Sequence, residues 1–341
     1  MLKDANNYIL YSLTSLIWGS TWYAIHMQLG TVPPMWSIIY RFTLAGAILL
    51  VYCLVTRMNL RFTKRQHFFI ALQGLLLFCI NYILYYFASG YLVSGIVALI
   101  FALIVVMNII NCRIFFKTSI TTRVVLASVM GFVGLGLVFW SQTGQWLAQS
   151  RDSGGMMGLS IGIGLAVLGT VAASLGNILA VYNKKLEIPI VASNALGIIY
   201  GTLFTLLFTL LSGQAIAFDT SWGYLLSLAY LTIAGTVVAF GAYVMLISRI
   251  GADKGGYVFV TTPIVALLLS AFYEEFHWSA LTIIGVLAII GGNLLVLKRQ
   301  SGQAATSLQA RTAREAWAQQ AVPVMQKVEE AGLPQQASNE D

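Results

Sequence analysis

Residues 113–123 read RIFFKTSITTR, with Arg113, Lys117 and Arg123 inside eleven positions. Unbroken apolar sequence flanks the segment on both sides, at 91–112 and at 123–142. An apolar run of about 20 residues is long enough to cross the hydrocarbon core of a bilayer as a helix. A short cationic segment between two such runs therefore reads as a loop between two membrane helices, held on the cytoplasmic side by its positive charge.

The same reading extends along the chain. Ten apolar runs fall at 8–28, 34–55, 68–88, 91–112, 123–142, 157–182, 190–212, 222–247, 255–273 and 279–297. They are twice strand length and lack period-two alternation, which argues against a barrel. Composition agrees: 58% of the 341 residues are hydrophobic and 9% are charged, against about 25% charged in soluble proteins. The first run reads as a membrane helix and not as a cleavable signal, being too long and without a small-x-small site.

The formal charge of +7 is a topology signal. Arg57, Arg61, Lys64 and Arg65 lie after run 2, Arg113, Lys117 and Arg123 after run 4, Lys184 and Lys185 after run 6, and Arg249 and Lys254 after run 8. The alternate connections hold Arg151 against Asp152, Asp219, Glu274 and Glu275. Cation-rich loops and both termini are thus expected in the cytoplasm. Cations spread over several loops do not form the single basic face that nucleic acid requires. Cys53, Cys79 and Cys112 fall inside apolar runs as packing groups, with no disulfide or metal spacing. The polar segment 298–341 reads as a cytoplasmic tail, with a short helix at about 306–321 before Pro323.

The connection after run 9, YEEFHWS at 273–279, is the counterpart of RIFFKTSITTR with its cations removed. Other landmarks keep nearly the same offset. Gly19-Ser20 match Gly176-Asn177 157 positions on, Ala127 and Gly134 match Gly285 and Gly292 after 158, and the Gly95–Ile104 region matches Lys254–Pro263 after 159. Two halves of five runs follow, 1–148 and 149–297. Five is odd, so the second half must enter the membrane inverted, an arrangement that builds transporters with a site near the midplane between halves.

Candidate site residues are polar or aromatic side chains at helical spacing inside the runs, since a hydroxyl or amide facing lipid gains nothing. Run 1 offers Thr14, Ser15, Trp18, Ser20 and Thr21, and run 3 offers Gln73, Asn81, Tyr82, Tyr85 and Tyr86. Run 6 offers Thr170, Ser174 and Asn177, run 8 Thr232, Thr236 and Tyr243, and run 9 Thr261 and Thr262 before Pro263. The substrate-binding set selected from these is Trp18, Ser20, Asn81, Tyr82, Tyr85, Thr170, Ser174, Asn177, Thr236, Tyr243 and Thr262. Each has a packing alternative, an interhelical hydrogen bond or a small-residue seam. Arg41 is the one full charge well inside a run. It reads either as a carboxylate binder or as a snorkelling or backbone-bound arginine, and the second is the expectation.

No Asp or Glu lies deep in any run, and His26, His67 and His277 sit near run ends. A buried proton relay needs titratable groups within the membrane, so uncoupled passage, or weak coupling through Glu274 or His26, is expected. Glycine-rich GGMMGLSIGIGL at 154–165 follows no strand and is packing or loop, not a phosphate cradle.

WGSTWYAI, Pro33-Pro34 followed by YRFTLAGAILL, and the closes GFVGLGLVF and GVLAIIGGNLL resemble the EamA type of the drug/metabolite transporter superfamily over residues 8–297. The resemblance implies a ten-helix basket, a central cavity lined mainly by helices 1, 3, 4, 6, 8 and 9, and export of amino acids or other small metabolites across the bacterial inner membrane. The sequence departs from the family pattern at Ile104, where many copies carry the proline seen at Pro263, and at Phe115, near a common acidic position.

The expectation is an all-α polytopic membrane protein of ten spans in two inverted five-helix repeats. It would carry small neutral or zwitterionic metabolites by alternating access, with no cofactor and no enzymatic residue set. An uncoupled channel-like facilitator and a lipid flippase or membrane scaffold are the alternatives. The expected partners are the metabolite and membrane lipid, not nucleic acid, with a weak homodimer possible.

Overall fold

The computed structural model describes residues 5–117, 119–149, 155–250, 255–274 and 276–295. The tail and its short helix, and Arg151, Asp152, Lys254 and Glu275, lie outside the described residues.

Among the described residues the chain folds into helical rods in the order of the apolar runs, with no strand. They are α1 (Ala5–His26), α2 (Pro34–Val55), α3 (Lys64–Ala88), α4 (Ser94–Phe116), α5 (Thr122–Gln149), α6 (Gly155–Lys185), α7 (Ile190–Leu211), α8 (Trp222–Ile250), α9 (Val258–Tyr273) and α10 (Ala280–Leu295). Seven, α2 to α8, are long and apolar enough to cross a membrane, and α9 and α10 are shorter apolar helices. α1 is 22 residues long and carries more polar side chains than these.

Local chemistry sets the boundaries. Pro34 starts α2 at a position where its missing N–H is no loss. Thr63 and Gln66 form a reciprocal capping box at the start of α3. Ser221 caps α8 through the Tyr224 amide. Leu, Ile and Phe side chains at α2, α5, α7 and α10 are exposed in large numbers. In water such a surface would aggregate; in lipid it is the required exterior.

α1 packs on α8 and α9, α6 on α3 and α4, α2 on α7, and α4 on α9. α5 and α10 meet through glycine: a Cβ on Gly134 would stand 2.5 Å from the Gly285 carbonyl, and the reverse distance is also 2.5 Å. Close approach of this kind lets van der Waals packing and weak polar contacts replace the hydrophobic drive that lipid removes.

Two rods carry a wider turn. α3 is a π-helix from Leu75 to Ile80, and α8 is one from Tyr230 to Val238. Such segments widen the helix and re-aim the side chains that follow. α4 breaks at Ala102 and Leu103, although Ile104 replaces the expected proline. The Asn293 amide of α10 donates to the Ala102 carbonyl at 3.1 Å. An amide brought from another helix thus satisfies a carbonyl at the break, so this kink needs no proline.

Candidate functional site

The helices enclose a cavity of about 340 Å³. α1, α3, α4, α6, α8 and α9 line it, and so do α2, through Arg41, Phe42 and Leu49, and α7, through Ile190, Asn194 and Ile198. The last two helices are additions to the set that the family resemblance implies.

Trp18 stands at the centre of an aromatic cluster. Its ring lies 5.0 Å from Tyr243 and 5.6 Å, stacked, from Phe259, and its indole N–H donates to the Gly235 carbonyl at 3.2 Å. Trp22 meets Tyr85 edge-on at 5.2 Å and Phe101 at 5.3 Å. These rings offer broad apolar faces with polar edges, which suits a flat amphipathic body.

Asn81, Tyr82, Tyr85, Asn177, Thr236, Tyr243 and Thr262 join Trp18 in the wall. Asn81 follows the π segment of α3, and its Oδ1 is buried with no partner among the described residues. Tyr85 donates to Thr170 Oγ1 at 2.9 Å, because Thr170 spends its own proton on the Ala166 carbonyl at 2.8 Å. Thr170 is therefore behind the wall, supporting Tyr85 from α6. Ser174 is also behind it, donating to Asn108 Oδ1 and accepting from the Asn111 amide, both at 2.8 Å. Ser20 turns to α8 and shares a 2.6 Å hydrogen bond with the Tyr230 hydroxyl. Gln73 binds helices together: its amide donates to Asn194 at 2.8 Å, and its carbonyl accepts from Asn183 at 2.7 Å and Ser193 at 2.8 Å.

Arg41 departs most from expectation. It neither snorkels nor binds backbone; it is 2% exposed and forms part of the cavity wall. Nε and Nη2 donate to Thr236 Oγ1 at 3.3 and 3.2 Å. Its guanidinium carbon lies 4.9 Å from the Tyr82 ring centre. The π segment of α8 creates the seat: Thr236 gives its own proton to the Leu231 carbonyl five residues back, at 2.9 Å, and turns its lone pairs toward the arginine. Gly235 keeps the space open, since a Cβ there would stand 2.7 Å from Thr21 Cγ2.

Asn108 and Asn194 also reach the wall. Both are amides inside apolar runs, as Asn81 is, but each lies four residues from the end of its run, where a polar side chain is less conspicuous. One end of the molecule is tied by Glu274, at the end of α9. Its carboxylate accepts from the Ser94 amide at 3.1 Å and from the Ser94 and Ser270 hydroxyls at 2.5 Å, and it lies 3.4 Å from His26 Nδ1. A carboxylate at the first turn of α4 complements the helix dipole. Beside it Tyr23 and Tyr273 stack at 5.0 Å.

Comparison with known proteins bears on this arrangement. A 285-residue alignment to YedA, an uncharacterized inner membrane transporter of Escherichia coli (strain K12), is 26% identical and covers 81% of this chain and 86% of YedA. Protein PagO of Salmonella typhimurium (strain LT2) is 30% identical over 145 residues, 42% of this chain and 45% of PagO. One solved crystal structure superposes with a TM-score of 0.59 over 86% of this chain and 96% of its own, at 16% identity, and shows a shared fold. The sequence model of the EamA-like transporter family matches residues 6–140 and again 160–298. The chain belongs to the EamA-like transporter family.

Proposed function

We propose that this multi-pass inner-membrane protein exports a small amphipathic metabolite, amino acids among the candidates, by alternating access. In this reading all ten rods cross the membrane as two five-helix halves, 1–148 and 149–297, of opposite orientation, with the termini in the cytoplasm. Contacts that come in matched pairs support two like halves, and the odd number of helices in each is what would invert one against the other. α1 on α9 is echoed by α6 on α4, and α3 on α6 by α8 on α1, while α2–α7 and α4–α9 pair across the halves. The π segments of α3 and α8 occupy equivalent places.

The observation that carries the reading is the cavity, walled by helices of both halves. Its size is that of a small-molecule pocket. It runs from Trp22 to Ala180, Ile190 and Ile247, near the ends of α6, α7 and α8 that adjoin the cationic loops. The opposite end is gathered around Glu274. This is the disposition of a carrier open toward the cytoplasm and sealed outside. The family and its transporter-named relatives point to transport rather than enzymatic chemistry.

The test is exchange by the purified protein in liposomes loaded with a labelled metabolite mixture. Saturable counterflow of particular solutes is expected without an imposed pH gradient. Trp18→Ala and Asn81→Ala should each reduce it at least about tenfold while the protein still inserts, by loss of the stacking face and of the amide contact. Non-saturable leak, or unchanged flux in both variants, contradicts the reading.

A further inference from the structure

We propose that the solute is an organic monoanion, a carboxylate with an aromatic or aliphatic body, and that Arg41 seats the carboxylate. The proposal rests on the transport reading above, and names the substrate class of the same cavity.

Every described neighbour of Arg41 is neutral. Thr236 gives one hydroxyl oxygen. Tyr82 and Phe42 give ring faces. The Tyr86 hydroxyl gives its proton to Gln28 Oε1 at 2.7 Å and turns its oxygen to the guanidinium as a second neutral acceptor. Nη1 is buried and closes no hydrogen bond. No carboxylate pairs with Arg41 among the described residues, and none lines the cavity. A buried cation without a counter-charge is costly in a low-dielectric interior, and costlier within a membrane. A solute anion supplies the missing charge in the bound state.

The unpartnered donor suits a carboxylate. Thr236 occupies Nε and one hydrogen of Nη2. Nη1 keeps its hydrogens without an acceptor although it is buried, so a carboxylate reaches it where the covering side chains give way. The Phe42 and Tyr82 rings lie 5.1 and 4.9 Å from the guanidinium carbon, and Trp22 and Tyr85 also line the wall, so an apolar body has rings to lie against. An ammonium group finds less. The wall offers it ring faces and the unpartnered Oδ1 of Asn81, with no carboxylate among the lining residues. A zwitterion must therefore desolvate a second charge without a counter-ion, and a monoanion does not.

The test compares three probes with one body: 3-phenylpropionate, L-phenylalanine and 3-phenylpropionamide. They are titrated into the purified full chain in nanodiscs, with binding read by tryptophan fluorescence. In the unmodified protein, 3-phenylpropionate should bind at least about tenfold more tightly than either of the others, the worth of one charge-assisted contact. Arg41→Gln should bring the three within about twofold of one another, and Arg41→Lys should keep part of the preference. Equal affinity for acid and amide, tightest binding of L-phenylalanine, or no binding of the acid overturns the proposal. The unmodified protein alone decides these outcomes, even where Arg41→Gln fails to fold. Counterflow in liposomes separates the two claims. Saturable, Trp18-dependent exchange of the amino acid or the amide, with the acid excluded, leaves transport standing and removes the anion. Arg41-dependent binding of the acid with no exchange of any probe leaves the anion site standing and removes transport.

Discussion

Glu274 and Arg41 are the two buried charges whose surroundings differ most. Glu274 accepts from the Ser94 amide and from two serine hydroxyls, and His26 Nδ1 lies 3.4 Å away. Its charge is spent on joining the end of α9 to the start of α4. Glu274→Gln keeps the shape and removes the charge, and should cost about 1–2 kcal/mol of the closed end's stability. In a background without Cys53, Cys79 and Cys112, a Tyr23→Cys reporter should then react roughly tenfold faster with an impermeant thiol reagent added from the Glu274 side. An unchanged rate means that this carboxylate does not hold the end shut. Arg41, by contrast, has neutral neighbours and a buried Nη1 that no acceptor meets. The sequence placed Arg41 inside a run and Glu274 at a run's end but could not say how either is paired, because a charge's partners are set by which helices pack beside it. Trp18, Asn81, Tyr82, Tyr85 and Tyr243 were legible as a set because polar or aromatic groups at helical spacing mark a face turned from lipid. Ser20, Thr170 and Ser174 share that spacing, yet each is held in an interhelical bond with a neighbour.

The rods themselves were written plainly in hydropathy, and charge marked the loops. What hydropathy does not encode is the turn within a rod. Nothing in LLLFCI or YLTIAGTVV announces a π-helix, since the widening depends on what packs against the segment. The break in α4 was equally hidden, because it relies on Asn293, nearly two hundred positions away. Crossings are easier to anticipate, because small residues permit them. A Cβ on Gly74 would run into the Gly197 carbonyl and stand 3.0 Å from the Gly201 amide, both backbone atoms of α7 that cannot turn aside. Gly74→Val should force α3 away from α7 and cost about 1–3 kcal/mol. It should also pull at the Gln73–Asn194 bond one residue away. Gly46→Ala is the control: its Cβ would meet side chains only, nearest the Ile198 Cγ2 methyl at 3.1 Å, a contact that a shift of a few tenths of an ångström relieves. Thermal denaturation of the two purified variants checks the contrast. A Gly74→Val protein as stable as Gly46→Ala would mean that the crossing has slack.

At the scale of the molecule, inversion of the halves and the location of the cavity are one proposition. If the halves run oppositely, α1 and α6 lie on opposite sides of the cavity, as do α3 and α8, and each half contributes one π segment and one share of the wall. The paired contacts of α1 with α9 and of α6 with α4 follow from a two-fold relation between like halves, and five spans in each half would place that axis in the membrane plane. Inversion also explains the loops: segments at equivalent places in the two halves carry cations in one and acids in the other, as RIFFKTSITTR and YEEFHWS do. An anionic solute adds a direction, because an inside-negative membrane potential drives a negative charge outward without a proton-coupling group. Sidedness decides the frame on which all of this stands. Lys64 begins α3 and Lys184 is near the end of α6, both exposed, while Thr220 is exposed in the connection between α7 and α8. Single cysteines at these positions, in a chain otherwise free of cysteine, should be labelled by an impermeant reagent in two groups. Positions 64 and 184 should react only in inverted membrane vesicles, and position 220 only in intact spheroplasts. Labels on positions 64 and 184 from opposite faces would require an odd number of crossings between them. The two halves would then no longer be inverted copies, and the cavity would not lie between them.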